Sequence, residues 1–118
     1  MRIAVSAFGP NLMSRLSPRF GGCSYFLVID PSTKNLEVYE NKHDDPAGNS
    51  DAQAARFLAS KKVDAVITGR CRPDTFKILA DAGIRVFLKQ SGIVKEVLEK
   101  YAQGRMRRAT APHVAAEG

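Results

Sequence analysis

Val63-Asp64-Ala65-Val66-Ile67-Thr68-Gly69-Arg70-Cys71-Arg72-Pro73-Asp74 passes from strand to turn to helix start within twelve residues. Val63 to Thr68 is apolar and β-branched, the composition of a buried strand. Pro73 suits a first helical turn, where its missing N–H leaves nothing unsatisfied, and Asp74 complements the helix dipole. Downstream, Phe76, Leu79 and Ala80 form the buried stripe of this helix, and Gly83 suits its C-terminal cap. Ile84 to Leu88 reads as a further strand. Ser91 is expected to cap a last helix, with Val94, Val97, Leu98 and Tyr101 on one face, and Gly104 ends it. Upstream, Ser50 and Gln53 form a capping box for a helix carrying Ala54, Phe57 and Leu58, closed by Ser60-Lys61-Lys62.

Before the polar stretch from Asn41 to Asn49 the pattern changes. Arg2 to Ala7 reads as a strand, Phe8 to Ser24 as one long turn-rich loop. Tyr25 to Asp30 and Leu36 to Glu40 then make a hairpin around Pro31 to Asn35. The order is therefore β, loop, ββ hairpin, then α-β-α-β-α. Right-handed crossovers make strands one, four and five parallel, and the hairpin adds an antiparallel pair. The expected architecture is α/β, a five-stranded mixed sheet in the order 3-2-1-4-5 with three helices.

Composition limits the class of partner. The 118 residues, 44% hydrophobic and 25% charged, suit one domain with a core that needs no metal or disulfide staple. A formal charge of +6 points to an anion: a phosphate, an oxyanion, a nucleic acid or an anionic metal cluster. The apolar runs are too short to span a bilayer, and Met1 to Val5 leads straight into a strand, so a cytoplasmic protein with no membrane association is expected. Cys23 and Cys71 lack zinc-type spacing and read as reduced thiols.

The topology gathers the unusual residues at one sheet edge, the carboxyl end of the parallel strands, where open α/β sheets bind ligands. Arg19, Gly21, Gly22 and Cys23 come from the long loop, His43 from the polar stretch, and Gly69, Arg70, Cys71 and Arg72 from the tight turn. Three helix N-termini face the same way and would favour an anion. Cys71, between two arginines at a helix start, is expected to be an activated thiolate, or else a small buried filler. Cys23 precedes a buried strand and reads first as a core residue. Together the two thiols could reach one soft metal or cluster, of copper or iron-sulfur type, with His43 as a third donor or merely a solvated loop residue. Arg15, Arg19, Arg70 and Arg72 make either an anion cradle or ordinary surface charge. Strand one lacks the carboxylate of a two-metal nuclease, and His43 and His113 offer no oriented base for a cysteine nucleophile. Neither a Walker loop nor a dinucleotide fingerprint occurs.

Ser17-Pro18-Arg19-Phe20-Gly21-Gly22-Cys23-Ser24-Tyr25-Phe26 resembles the opening signature of the dinitrogenase iron-molybdenum cofactor biosynthesis family, the NifX-like domains. Asp51 to Leu58, Val63 to Gly69, Ala82 to Val86 and Gly92 to Glu96 are similar to its later segments, in register. The resemblance spans residues 1–104 and leaves 105–118 as a basic flexible tail. It implies a ribonuclease H-like fold without nuclease activity. It also implies members that bind or carry metal-sulfide clusters of molybdenum with iron or copper. Two departures stand out: Arg70-Cys71-Arg72-Pro73 replaces a glycine-rich turn, and the segment from Arg19 to Ser24 lacks the histidine of nitrogenase-associated members. The expected function is thus a non-enzymatic cluster-binding or carrier protein, holding an anionic cluster and passing it to a protein acceptor. An anion- or nucleic-acid-binding regulatory module is the alternative, nucleic acid being the less expected ligand.

Overall fold

Strand β1 (Ile3–Ala7) lies at the centre of the sheet, and each of its residues is buried, as suits a strand covered on both faces, Ser6 being its one polar member. The computed structural model describes residues 1–41 and 50–109, with only the backbone of Ser50. On one side, β2 (Tyr25–Asp30) pairs antiparallel with β1, and β3 (Asn35–Glu40) antiparallel with β2. On the other, β4 (Ala65–Ile67) runs parallel to β1 and β5 (Arg85–Phe87) parallel to β4. The order is 3-2-1-4-5, as the chain order and crossover handedness require, and is compatible with a ribonuclease H-like arrangement.

Period-two alternation divides the core. Ala4, Phe26, Val28, Val66 and Val86 face α1 (Ser50–Ser60) and α2 (Pro73–Asp81), which contribute Ala54, Leu58 and Leu79. Ile3, Val5, Leu27, Ile67 and Phe87 face the other way, beneath Val94 and Val97 of α3 (Val94–Ala102). A one-residue slip in any strand would exchange these sets, so the register is strongly specified.

The start of α3 departs from expectation. Ser91 is not its cap: the N-cap is Ile93, in extended conformation and without a side-chain cap. Carbonyls of the long loop replace it. Val94 N–H donates to the Ser14 carbonyl and Lys95 N–H to that of Leu12, each at 2.9 Å. A tertiary partner thus satisfies the amides that a serine would otherwise have served. The proposed capping box needs the Ser50 side chain, which lies outside the described residues, as does His43 with the rest of 42–49. Residues 105–109, read from sequence as the start of a tail, follow Gly104 (φ 71°) back onto the fold. Met106 packs on the α3-side core, and Ala109 N–H donates to the Val86 carbonyl at 2.7 Å. Residues 110–118 lie outside the described residues.

At the opposite end from the expected ligand edge, Arg2 grips Glu37 of β3 through both guanidinium nitrogens, at 2.8 and 3.1 Å. Tyr39 donates its hydroxyl to the same carboxylate. Arg2, then Tyr39, hold the Glu37 carboxyl well below its ordinary 4.5, at about 2. The charged form is therefore favoured in the folded state, and its contribution is present above pH 4.5 and lost as pH falls through about 2. In urea unfolding, Glu37→Gln is expected to lower the midpoint at pH 6, with the gap from the parent closing as the pH reaches about 2. A gap unchanged with pH would show that charge is not what Glu37 contributes.

Candidate functional site

The long loop meets the β4–α2 turn through backbone pairing. Arg70 N–H donates to the Pro18 carbonyl at 2.8 Å and Phe20 N–H to the Arg70 carbonyl at 3.1 Å. This short parallel bridge makes Arg19 and Arg70 direct partners. Gly69 allows the approach, since a Cβ there would stand 2.6 Å from the Pro18 backbone. Beneath it, Ser6 and Thr68 share a buried hydroxyl contact at 2.7 Å, and the Ser6 hydroxyl lies equally close to the Ser17 carbonyl. Gly21 rests on the first turn of α1: a Cβ there would run into Asp51. Asn41, just past β3, donates its side-chain amide to the carbonyls of Gly21 (3.1 Å) and Cys23 (2.9 Å), clipping the loop from the other side.

These contacts enclose an open basin of about 420 Å³. Arg19, Arg70 and Arg72 line it, with Gly21 and Gly22 beside them, and a Cβ on Gly22 would stand 3.4 Å from the Arg19 Nε. Asp51 is the one carboxylate of the lining among the described residues. Bridge partners in a parallel pair project to the same side, roughly 5 Å apart, so two guanidinium groups start from neighbouring anchor points. Like charges so placed repel. Among the described residues, neither the Arg19 nor the Arg70 side chain is ion-paired, and Arg72 reaches only its exposed neighbour Asp74, at 3.7 Å.

Several expectations about the site need correcting. Cys71 lines the basin but is only 8% exposed, and burial, with Asp51 and Asp74 adding to it, pushes its thiol up to about 12. The flanking arginines do not produce an activated thiolate, because the sulfur sits in the α1/α2-side core, where burial dominates. Cys23, 4% exposed and outside the basin lining, belongs to the same core cluster, and burial pushes it likewise to about 12. Both thiols are therefore protonated at neutral pH. No group of three or more His, Cys, Asp and Glu that could hold a metal ion occurs among the described residues. The helix N-termini supply less than expected too. Loop carbonyls take the first amides of α3, while in α2 Pro73 has no N–H and Thr75 N–H donates to Asp74 Oδ1 at 2.9 Å. Gly69 does not line the basin, and its role is spacing.

Residues 1–104 match the family described as dinitrogenase iron-molybdenum cofactor. The chain belongs to that family. Among solved structures, the apo form of the orange protein from Desulfovibrio gigas superposes with a TM-score of 0.90 at 32% identity, covering 94% of each chain. A protein from Thermotoga assigned to NifB and to the DUF35 family gives 0.83 at 31%, covering 99% of this chain and 98% of its own. A curated relative, an uncharacterised protein of Methanocaldococcus jannaschii, is 24% identical over 98 residues, 80% of this chain and 83% of its own.

Within this family member the structure brings together Arg19, Gly21, Gly22, Arg70, Cys71 and Arg72 and leaves Cys23 behind the wall. Sequence reading overlooked Asp51 and Asn41. Asp51 had a signal as the acidic residue of a first helical turn. Asn41, at a strand end, had none. Intact-mass spectrometry after iodoacetamide at pH 7.5 is expected to find neither cysteine modified in the folded protein and both modified in urea, whereas rapid labelling of Cys71 alone would contradict its burial. Gly69→Ala is expected to lower stability by roughly 1–3 kcal/mol in urea unfolding, because the added methyl meets backbone that cannot rotate away.

Proposed function

We propose that this chain binds an anionic metal-sulfide cluster, of molybdenum with iron or copper, in the arginine basin and carries it to an acceptor protein without catalysing a reaction. The observation that supports this most directly is the Arg19–Arg70 pair, two arginines whose backbones are bonded side by side, with no ion-pair partner among the described residues. Their repulsion is relieved when an anion sits between them. The family to which residues 1–104 belong is described by iron-molybdenum cofactor. The Desulfovibrio gigas neighbour is the apo form of the orange protein.

In this reading the cargo is held by charge rather than by covalent ligation. Arg19 and Arg70 grip it from the bridge and Arg72 closes from the helix start. Guanidinium suits this role because it stays protonated, presents several donors in a plane and is weakly hydrated, so little is lost on taking it out of water. Asp51 tempers the charge, leaving a formal excess of two positives among the described residues of the lining. Cys71, neutral and apolar, forms soft wall against sulfide rather than a bond to metal.

Loading with tetrathiomolybdate and copper(I) under anaerobic conditions, followed by desalting and metal analysis, tests this. Arg19→Glu and Arg70→Glu are each expected to retain at least about tenfold less cluster than the parent, and Cys71→Ala about as much as the parent. Loss with Cys71→Ala and retention in both arginine variants would overturn noncovalent holding. No retention by the parent, together with oligonucleotide binding that falls steeply with salt, would overturn the cluster reading itself.

A further inference from the structure

A second cavity, of about 310 Å³, opens at the other end of the molecule and on the opposite sheet face. Ile3 and Ile29, from the amino end of β1 and the carboxyl end of β2, form its base. Leu12, Leu98 and Tyr101 form its walls. Protein interiors rarely leave voids larger than a water molecule, and this one lies near the lower end of the range of small-molecule sites, roughly 300–1,000 Å³. Its lining is chiefly apolar, and the one aromatic hydroxyl nearby is engaged elsewhere. Tyr101 accepts from Arg85 at 3.1 Å and donates to the Met1 sulfur at 3.3 Å.

Charge is confined to the mouth. Lys34, in the β2–β3 turn, and Lys95, in the first turn of α3, stand there with Glu99. Both lysines are exposed, and none of the three makes an ion pair among the described residues. The rim therefore carries one net positive charge over an apolar interior. That pattern matches a monoanion with a hydrocarbon body: the tail replaces water on Ile3, Leu12, Ile29 and Leu98, and the head lies between two ammonium groups. A phosphate lacks the apolar body, and an uncharged hydrocarbon leaves the lysines unused.

We infer that this cavity is a second binding site, separate from the arginine basin, for a small amphipathic carboxylate. The site does not depend on the cluster reading, because no residue lines both cavities.

Octanoate titrated into the full chain and followed by backbone amide shifts tests the inference. Ile29, Leu98 and Tyr101 are expected to move and Arg19 and Arg70 to stay. Octylammonium, with the same tail and the opposite charge, is expected to bind at least about tenfold more weakly. The Lys34→Glu/Lys95→Glu double variant changes only exposed side chains, so it should fold, and it is expected to reverse that preference. Octanoate and octylammonium binding equally, or shifts confined to the basin, would overturn the site. Self-association that the double variant abolishes, with no octanoate shift in the parent, would overturn it in favour of a second copy of the chain as occupant.

Discussion

The close approach of Pro18 to Gly69 is the constraint on which the functional edge depends. Sheet pairing brings β1 beside β4, but nothing in that ladder obliges the long loop after β1 to return to the turn after β4. Two backbone bonds do so, and they form only because residue 69 has no side chain. From that contact follow the side-by-side placement of Arg19 and Arg70, the seating of Gly21 on Asp51 and the enclosure of the basin. The buried hydroxyls of Ser6 and Thr68 support the same junction from below, where an unpaired polar group would be costly.

The site that results is electrostatic in character. Its thiols are buried and neutral at physiological pH, and two of its three neighbouring helices offer few free amides. What distinguishes the edge is cationic side chains held where, without an anion, they oppose one another. This is a form of preorganisation: the backbone brings the like charges together as the protein folds, before any anion binds.

Much of the fold was legible because its signals are local. The aromatic and β-branched run from Tyr25 to Asp30, Pro73 at a helix start and Gly83 after a helix end each depend on a few neighbouring residues. Those signals, with crossover handedness, suffice for the strand order. Arg19, Arg70 and Arg72 could be assigned to one edge on topology alone. Burial depth was not legible in the same way. Cys71 sits between two arginines in sequence, yet its side chain turns into the core, because a turn entering a helix sends successive side chains in different directions. The start of α3 misled for a related reason. Ser91 is a plausible cap by propensity, but the carbonyls that serve the helix come from Leu12 and Ser14, far away in the chain.

The bridge between Arg19 and Arg70 is made wholly of main-chain atoms. Side chains at these two positions make none of its bonds, and changing them leaves Pro18, Gly69 and the bonds between them intact. Architecture and selectivity are written in separate parts of the same loop. A lineage can exchange one pair of residues for another, acidic, aromatic or neutral, and turn the same mouth toward a different guest while the sheet beneath it remains as it was.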